Sequence, residues 1–82
     1  MITVTYLARF AEELGLTQEQ IDFNFPDSDA LLSHLRQRGE PWQQVLAGEK
    51  VYKIAVNNVI QHTNTELKDG DNIALLPPVT GG

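Results

Sequence analysis

The sequence contains no cysteine. This absence excludes disulfide bonds, thiolate metal sites and cysteine catalysis, so any sulfur that the protein handles must be carried on another group. Basic residues are also few, because six Lys and Arg stand against eleven Asp and Glu, for a formal net charge of −5. Such a chain lacks a basic stripe for phosphates, and we do not expect it to bind nucleic acid.

Long apolar runs and targeting segments are missing as well. Met1 is followed by a strand-like segment and not by the charged and apolar regions of a secretory signal. We therefore expect a cytoplasmic protein with no membrane contact. The 82 residues, 41% of them hydrophobic, predict a single globular domain over 1–82 with one modest core.

The first third of the chain predicts two strands around a helical turn. Alternating apolar and β-branched residues are typical of strands, and a glycine after paired apolar residues favours a helix end. The predicted elements are a strand at Ile2–Ala8, a helical turn at Arg9–Leu14 closed by Gly15, and a strand through Ile21, Phe23 and Phe25 that ends at Pro26.

One main helix is expected next. Ser28 is a suitable N-cap for a helix from Asp29 to about Arg38, and Gly39 would end it. Its apolar stripe, which we expect to lie across the sheet, consists of Leu31, Leu32 and Leu35. A short helix beginning near Pro41 would place Trp42, Val45 and Leu46 on one face.

Three further strands complete the predicted α+β fold, with a mixed sheet of about four to five strands. They are Val51–Val56, Val59–Gln61 and Asn72–Leu76. Asn57-Asn58 suits a tight hairpin that needs positive φ, and Asp69-Gly70 is a second turn signal.

No side-chain constellation indicates catalysis. His34 and His62 have no second ligand at metal-binding spacing, and Gly70 lacks the neighbours of a phosphate loop. The acidic pairs Glu12-Glu13 and Asp69/Asp71 fit solvated or turn positions better than acid–base partners. We expect no metal site and no bound cofactor, which favours a carrier whose chemistry is supplied by partners.

The chain end is the strongest functional signal. Pro77-Pro78 must stop the last strand and stiffen its exit, and we expect residues 77–82 to form a flexible tail. Gly81-Gly82 have no side chains, so they could carry the terminal carboxylate of Gly82 into a narrow enzyme channel. A carboxylate is inert until activated, for example by ATP as an acyl-adenylate on a partner enzyme. The alternative is an inert, frayed terminus.

Strand alternation predicts a second site near the tail. If Ile2, Val4, Tyr6, Ile73 and Leu75 face the main helix, then Leu7, Leu76 and Ile60 lie on the opposite face of the sheet. Exposed apolar residues close to the tail would form a partner-binding patch. The alternative is that the short helices cover them.

The sequence resembles the family of MoaD, the small sulfur carrier subunit of molybdopterin synthase. The resemblance rests on the predicted element order, on the turn Asp69-Gly70-Asp71 and on the ending Pro77-Pro78-Val79-Thr80-Gly81-Gly82. The resemblance implies a ubiquitin-like β-grasp fold with the first and last strands adjacent at the sheet centre. It also implies that a ubiquitin-activating-like adenylyltransferase uses ATP to adenylate Gly82, which then becomes a thiocarboxylate.

The same resemblance implies a sulfurtransferase role without catalysis by the chain alone. The tail would enter the large subunit of molybdopterin synthase and donate sulfur to cyclic pyranopterin monophosphate. Its residues are Pro77, Pro78, Val79, Thr80, Gly81 and Gly82. The family's assembly, a heterotetramer, has two small subunits on a dimer of large ones. Two rivals remain: a thiamine-pathway sulfur carrier, which typically lacks the Pro-Pro pair, and a protein modifier conjugated through Gly82.

Overall fold

A computed structural model describes residues 1–47 and 53–77 of the chain. Within these residues the chain forms five strands and three helices. In chain order they are β1 (Ile2–Tyr6), α1 (Arg9–Leu14), β2 (Gln18–Ile21), α2 (Ser28–Arg36), α3 (Trp42–Val45), β3 (Lys53–Val56), β4 (Val59–Gln61) and β5 (Asn72–Leu76). The predicted strand residues Val51 and Tyr52 lie outside the described residues.

The five strands form one mixed sheet in the order β2-β1-β5-β3-β4. β1 and β5 pair in parallel at its centre, with Val4 opposite Ile73 and Tyr6 opposite Leu75. All other neighbouring strands are antiparallel. The expectation that the first and last strands are adjacent at the sheet centre is therefore confirmed.

One face of the sheet carries the core. Strand alternation buries every second residue of β1 and β5, and the helices pack their apolar residues against that face. The fully buried members are Ile2, Val4, Tyr6, Leu31, Leu35, Leu46, Ile73 and Leu75. The predicted stripe of α2 and the buried residues of α3 belong to this core, which confirms both predictions.

The second strand lies earlier than predicted. β2 ends at Ile21, and Phe23 is exposed in the segment that follows. The reason is register: Ile21 pairs with Ile2, the first residue of β1, so residues beyond Ile21 have no strand residue of β1 opposite them. β1 likewise stops at Tyr6 and not at Ala8, because the chain turns into α1.

The cap of α2 is Asp27 and not Ser28. The Asp27 carboxylate accepts a hydrogen bond from the backbone N–H of Ala30 at 2.9 Å, the usual N-cap geometry. Ser28 is the first residue of the helix, is buried, and donates from Oγ to Asn64 at 3.0 Å. Its oxygen also accepts from the N–H of Thr65, so its role is to tie the helix start to the loop after β4.

The predicted tight turns are confirmed. Asn57 and Asn58 both have positive φ, 52° and 70°, as a two-residue hairpin with the right twist requires. The Asn57 side chain also accepts from the N–H of Asn72 and donates to Asp71, which connects this hairpin to the start of β5. Gly70, with φ of 93°, makes the turn before β5.

A polar cluster joins β1, β2, the turn after α2 and the start of α3. The phenol of Tyr6 donates to Glu19 at 2.5 Å, and Arg38 donates two hydrogen bonds to the same carboxylate at 2.8 and 3.1 Å. Trp42 completes the cluster, with the Arg38 guanidinium 4.5 Å from its ring and Tyr6 edge-on at 5.4 Å. Burial, reinforced by the adjacent carboxylate, raises the pKa of Tyr6, so the phenol stays a donor.

Ala8 has a strained backbone. Its φ of 52° and ψ of −129° belong to a region that side chains with a Cβ rarely adopt. The conformation lets the chain reverse between β1 and α1, where the N–H of Phe10 donates to the carbonyl of Leu7. The strain therefore lies directly beside Leu7.

We expect Ala8→Gly to raise the free energy of unfolding by about 1 kcal/mol, because glycine adopts this conformation without a Cβ clash. Ala11→Gly, three residues later inside α1, is the matched control and should lower it by about 1 kcal/mol. Urea unfolding of both variants measures the two effects. A destabilised Ala8→Gly protein would contradict the strain argument.

Glu19→Gln should lower stability at about pH 7 by roughly 2 kcal/mol, because Tyr6 and Arg38 lose a charged acceptor. Burial alone would raise the pKa of Glu19, but the hydrogen bonds from Arg38 and Tyr6 outweigh it and hold this pKa below its usual value. The stabilisation is thus fully present above the pKa of Glu19 in the unfolded chain and is lost as the pH falls through the lower folded-state pKa.

Urea unfolding at a series of pH values tests this dependence, and wild type and Glu19→Gln should converge in acid. Glu13→Gln is the control, because Glu13 is exposed and its ion pair with Arg9 is long, at 3.9 Å. Such a contact should contribute less than about 0.5 kcal/mol. A gap between wild type and Glu19→Gln that is unchanged in acid would refute the role of the charge.

Candidate functional site

The chain end leaves the sheet from its central strand. β5 ends at Leu76, directly before Pro77, as predicted. Pro77 is half-buried and is the last described residue. The predicted site residues Pro78, Val79, Thr80, Gly81 and Gly82 lie outside the described residues, and their roles stay predictions.

The strand that carries the tail is held on both sides. Leu76 lies opposite Lys53 of β3, and Leu75 lies between Tyr6 of β1 and Ile54 of β3. The N–H of Leu7 donates to the carbonyl of Leu75 at 3.2 Å, which extends the parallel pairing beyond β1. The base of the tail therefore has a set position and direction.

The three predicted partner-binding residues of the sheet lie on its outer face, the face opposite the core. Leu7 and Ile60 are 38% and 41% exposed, and Leu76 is half-buried. The structure brings Leu7 and Leu76 side by side at the tail exit. Ile60 is on the same face but two strands from β5, about 10 Å across the sheet. We call Leu7, Leu76 and Ile60 the apolar patch.

Two alanines lie between the separated parts of the apolar patch, of which Ala74 is half-buried and Ala55 is buried. Register places Ala74 of β5 opposite Ala55 of β3, and Ala55 opposite Ile60 of β4. Small side chains here keep the surface between Leu76 and Ile60 low. The sequence did not identify Ala55 as a residue of this surface. Its alternation with Ile54 and Val56 predicts a strand, but which residues lie opposite it depends on strand register.

The helices do not cover the apolar patch. Phe10 and Leu14 of α1, and Val45 of α3, belong to the core cluster on the other face of the sheet. The alternative that short helices shield Leu7 and Ile60 therefore does not hold for the described residues. The role of the patch in partner binding remains a prediction.

Titratable side chains have structural contacts. Asp69 pairs with the amino group of Met1, and Asp71 accepts from Asn57 and from the N–H of Lys68. The His34 ring packs against Phe25 in a tilted arrangement, with 4.9 Å between ring centres. In the described part of the chain, no three His, Asp or Glu residues come together as a metal site would require.

None of the helices in residues 1–47 and 53–77 has the length and apolarity needed to cross a bilayer.

Comparison with known proteins identifies the family. The sequence matches the ThiS family over residues 4–82. The chain belongs to the ThiS family. The match begins inside β1, at Val4, includes all of β5 and the apolar patch, and runs to Gly82 of this ThiS-family chain.

Two curated relatives match this ThiS-family chain over its whole length. They are the molybdopterin synthase sulfur carrier subunits of Haemophilus influenzae and Escherichia coli. Each is 34% identical over 82 residues, and the alignment covers 100% of both proteins. The resemblance to the small subunit of molybdopterin synthase is confirmed at the level of sequence.

Solved structures confirm the ubiquitin-like β-grasp fold. One chain in the complex of subunits 1 and 2 of the Helicobacter pylori molybdopterin-converting factor matches with a TM-score of 0.68 and 33% identity. The match covers 99% of this chain and 97% of that chain. SAMP1 of Haloferax volcanii matches with a TM-score of 0.64 and 26% identity, over 99% and 98%. SAMP1 is a small archaeal modifier protein.

Proposed function

We propose that this chain is the sulfur carrier subunit of molybdopterin synthase, with its chemistry at the carboxylate of Gly82. The observation that carries the proposal is the full-length similarity to two such subunits, together with a Gly-Gly end that follows a central strand. In this proposal the activation and transfer steps are carried out in the active sites of partner enzymes.

The proposed cycle begins with activation. A ubiquitin-activating-like adenylyltransferase joins the Gly82 carboxylate to the α-phosphate of ATP, and pyrophosphate leaves. Hydrosulfide then attacks the acyl carbon of the adenylate, AMP leaves, and loss of the remaining sulfur-bound proton gives a thiocarboxylate on Gly82. Gly81 has no side chain that could obstruct the approach of either reactant. ATP is thus a substrate of the partner and not a cofactor bound here.

Transfer completes the cycle. The thiocarboxylate is an anionic sulfur nucleophile, so it supplies the chemistry that the missing cysteine would otherwise provide. Its sulfur attacks a carbon of cyclic pyranopterin monophosphate in the large subunit, and the carbon–oxygen bond at that carbon breaks with the oxygen as the leaving group. Water then cleaves the acyl–sulfur bond, which leaves the sulfur on the pterin and restores the Gly82 carboxylate. Since the product needs two sulfurs, two charged carriers serve each pterin, in accord with a heterotetramer of two small and two large subunits.

Docking of the large subunit is assigned to the apolar patch and the tail. Leu7 and Leu76 lie beside the point where the chain leaves the sheet, so a partner that covers them also receives Pro77 and the residues beyond it. Leu76 is held by β3, and the partner therefore meets a preformed surface, which lowers the entropic cost of binding.

A second candidate function is protein modification through Gly82. The similarity to SAMP1 favours it, and its product would be an isopeptide to a lysine. Immunoblotting for conjugates of high mass distinguishes it from sulfur transfer. The thiamine-pathway carrier is less favoured, because Pro77-Pro78 and the full-length relatives both indicate molybdopterin synthase.

Intact-mass measurement tests the sulfur-carrier proposal. After incubation with ATP, a sulfide source and the cognate adenylyltransferase, we expect a mass increase equal to the exchange of one oxygen for one sulfur. A chain truncated before Gly82 should show no increase. No shift in the full chain, with the adenylyltransferase active on another carrier, would overturn the proposal.

Leu76→Asp and Leu7→Asp should each weaken binding to the large subunit by about 100-fold or more, because an unpaired carboxylate would be buried in an apolar contact. Val59→Asp is the matched control. Val59 is 59% exposed, and it lies opposite the core residue Val56, so it is on the face of the sheet that does not carry the apolar patch. Its affinity should stay within about twofold.

Titration calorimetry measures the three affinities, and thermal unfolding shows whether each variant is folded. Leu7 is the decisive position, because its exposure makes a folding defect least expected. A folded Leu7→Asp variant with wild-type affinity would remove the apolar patch from the interface.

A further inference from the structure

The outer face of the sheet differs in charge from the rest of the molecule. The chain has eleven acidic residues and a net charge of −5, yet no Asp or Glu occupies an outward-facing position of the described strands. Those positions hold threonine, glutamine and asparagine at one end of the sheet, and Ala55, Ala74, Ile60 and Leu76 toward the tail. Depletion of charge is typical of the centre of a protein interface.

Lys53 is the single charged residue among these outward-facing strand positions. It lies directly opposite Leu76 on the neighbouring strand, so its side chain emerges beside the apolar patch and the tail exit. Lys53 is exposed, and its side-chain ammonium forms no hydrogen bond or ion pair with another described residue.

An ammonium that has no counter-charge among residues 1–47 and 53–77 constrains the partner. A protein that covers Leu76 must also cover or border Lys53, because opposed residues of neighbouring strands are only about 5 Å apart. Removing the ammonium from water without a counter-charge is costly, whereas a facing carboxylate offsets that cost and adds selectivity.

We propose that Lys53 is a specificity-determining residue of the docking face, and that the large subunit presents an Asp or Glu carboxylate opposite it. The inference rests on the proposed function, since it takes the large subunit as the occupant of the apolar patch. The two leucines supply apolar contact area, while Lys53 selects a partner surface with a negative charge at one point.

Charge reversal tests the proposal on the full chain and the cognate large subunit. Lys53→Glu should weaken binding by about tenfold or more, because two carboxylates would then face each other. Lys53→Met keeps the apolar stem and should weaken binding less, with a smaller dependence of affinity on salt. Lys68→Glu is the control, because Lys68 is an exposed lysine in the loop before the Gly70 turn, away from the tail exit.

A rescue experiment identifies the partner group. One Asp→Lys or Glu→Lys variant of the large subunit should restore binding to Lys53→Glu and weaken binding to wild type. Wild-type affinity in folded Lys53→Glu, or equal losses in Lys53→Glu and Lys68→Glu, would overturn the role of Lys53. Absence of any binding by the wild-type chain would instead overturn the proposed function, and this inference with it.

Discussion

The parallel pairing of β1 with β5 is the contact on which the rest of the structure depends. It joins the first strand of the chain to the last, so the two antiparallel parts of the sheet are connected through residues far apart in sequence. Leu7, just after β1, and Leu76, at the end of β5, become neighbours because both strands run in the same direction. The base of the tail and its flanking apolar residues are therefore positioned by one set of backbone hydrogen bonds.

The two faces of the sheet have opposite roles. Helices and the Tyr6–Glu19–Arg38 cluster seal the core face, and the large buried residues there supply the apolar area that stabilises a small domain. The outer face keeps Leu7 and Ile60 exposed. A monomer gains no stability from exposed apolar groups, which is the reason why the apolar patch is proposed as a surface that a partner covers.

The chemistry proposed for this chain needs no reactive side chain. A carboxylate at a chain end can be activated, loaded with sulfur and discharged in partner active sites, provided that it extends beyond the folded domain. Here the last strand, β5, is the central strand of the sheet and ends at Leu76, directly before Pro77. Under the proposed function the domain contributes recognition, while the bond-breaking steps belong to the adenylyltransferase and the large subunit.

Local signals in the sequence determined the turns and most elements. Asn57-Asn58, Gly70, the leucine stripe of α2 and the Pro77 strand end act through neighbouring residues alone, and each was predicted. Phe23 and Phe25 alternate like a strand but lie beyond it, because only pairing with Ile2 could decide where β2 ends. The proximity of Lys53 to Leu76 and of Ala55 to Ile60 was likewise decided by the tertiary structure, since strand register arises from contacts between distant segments that no local pattern records.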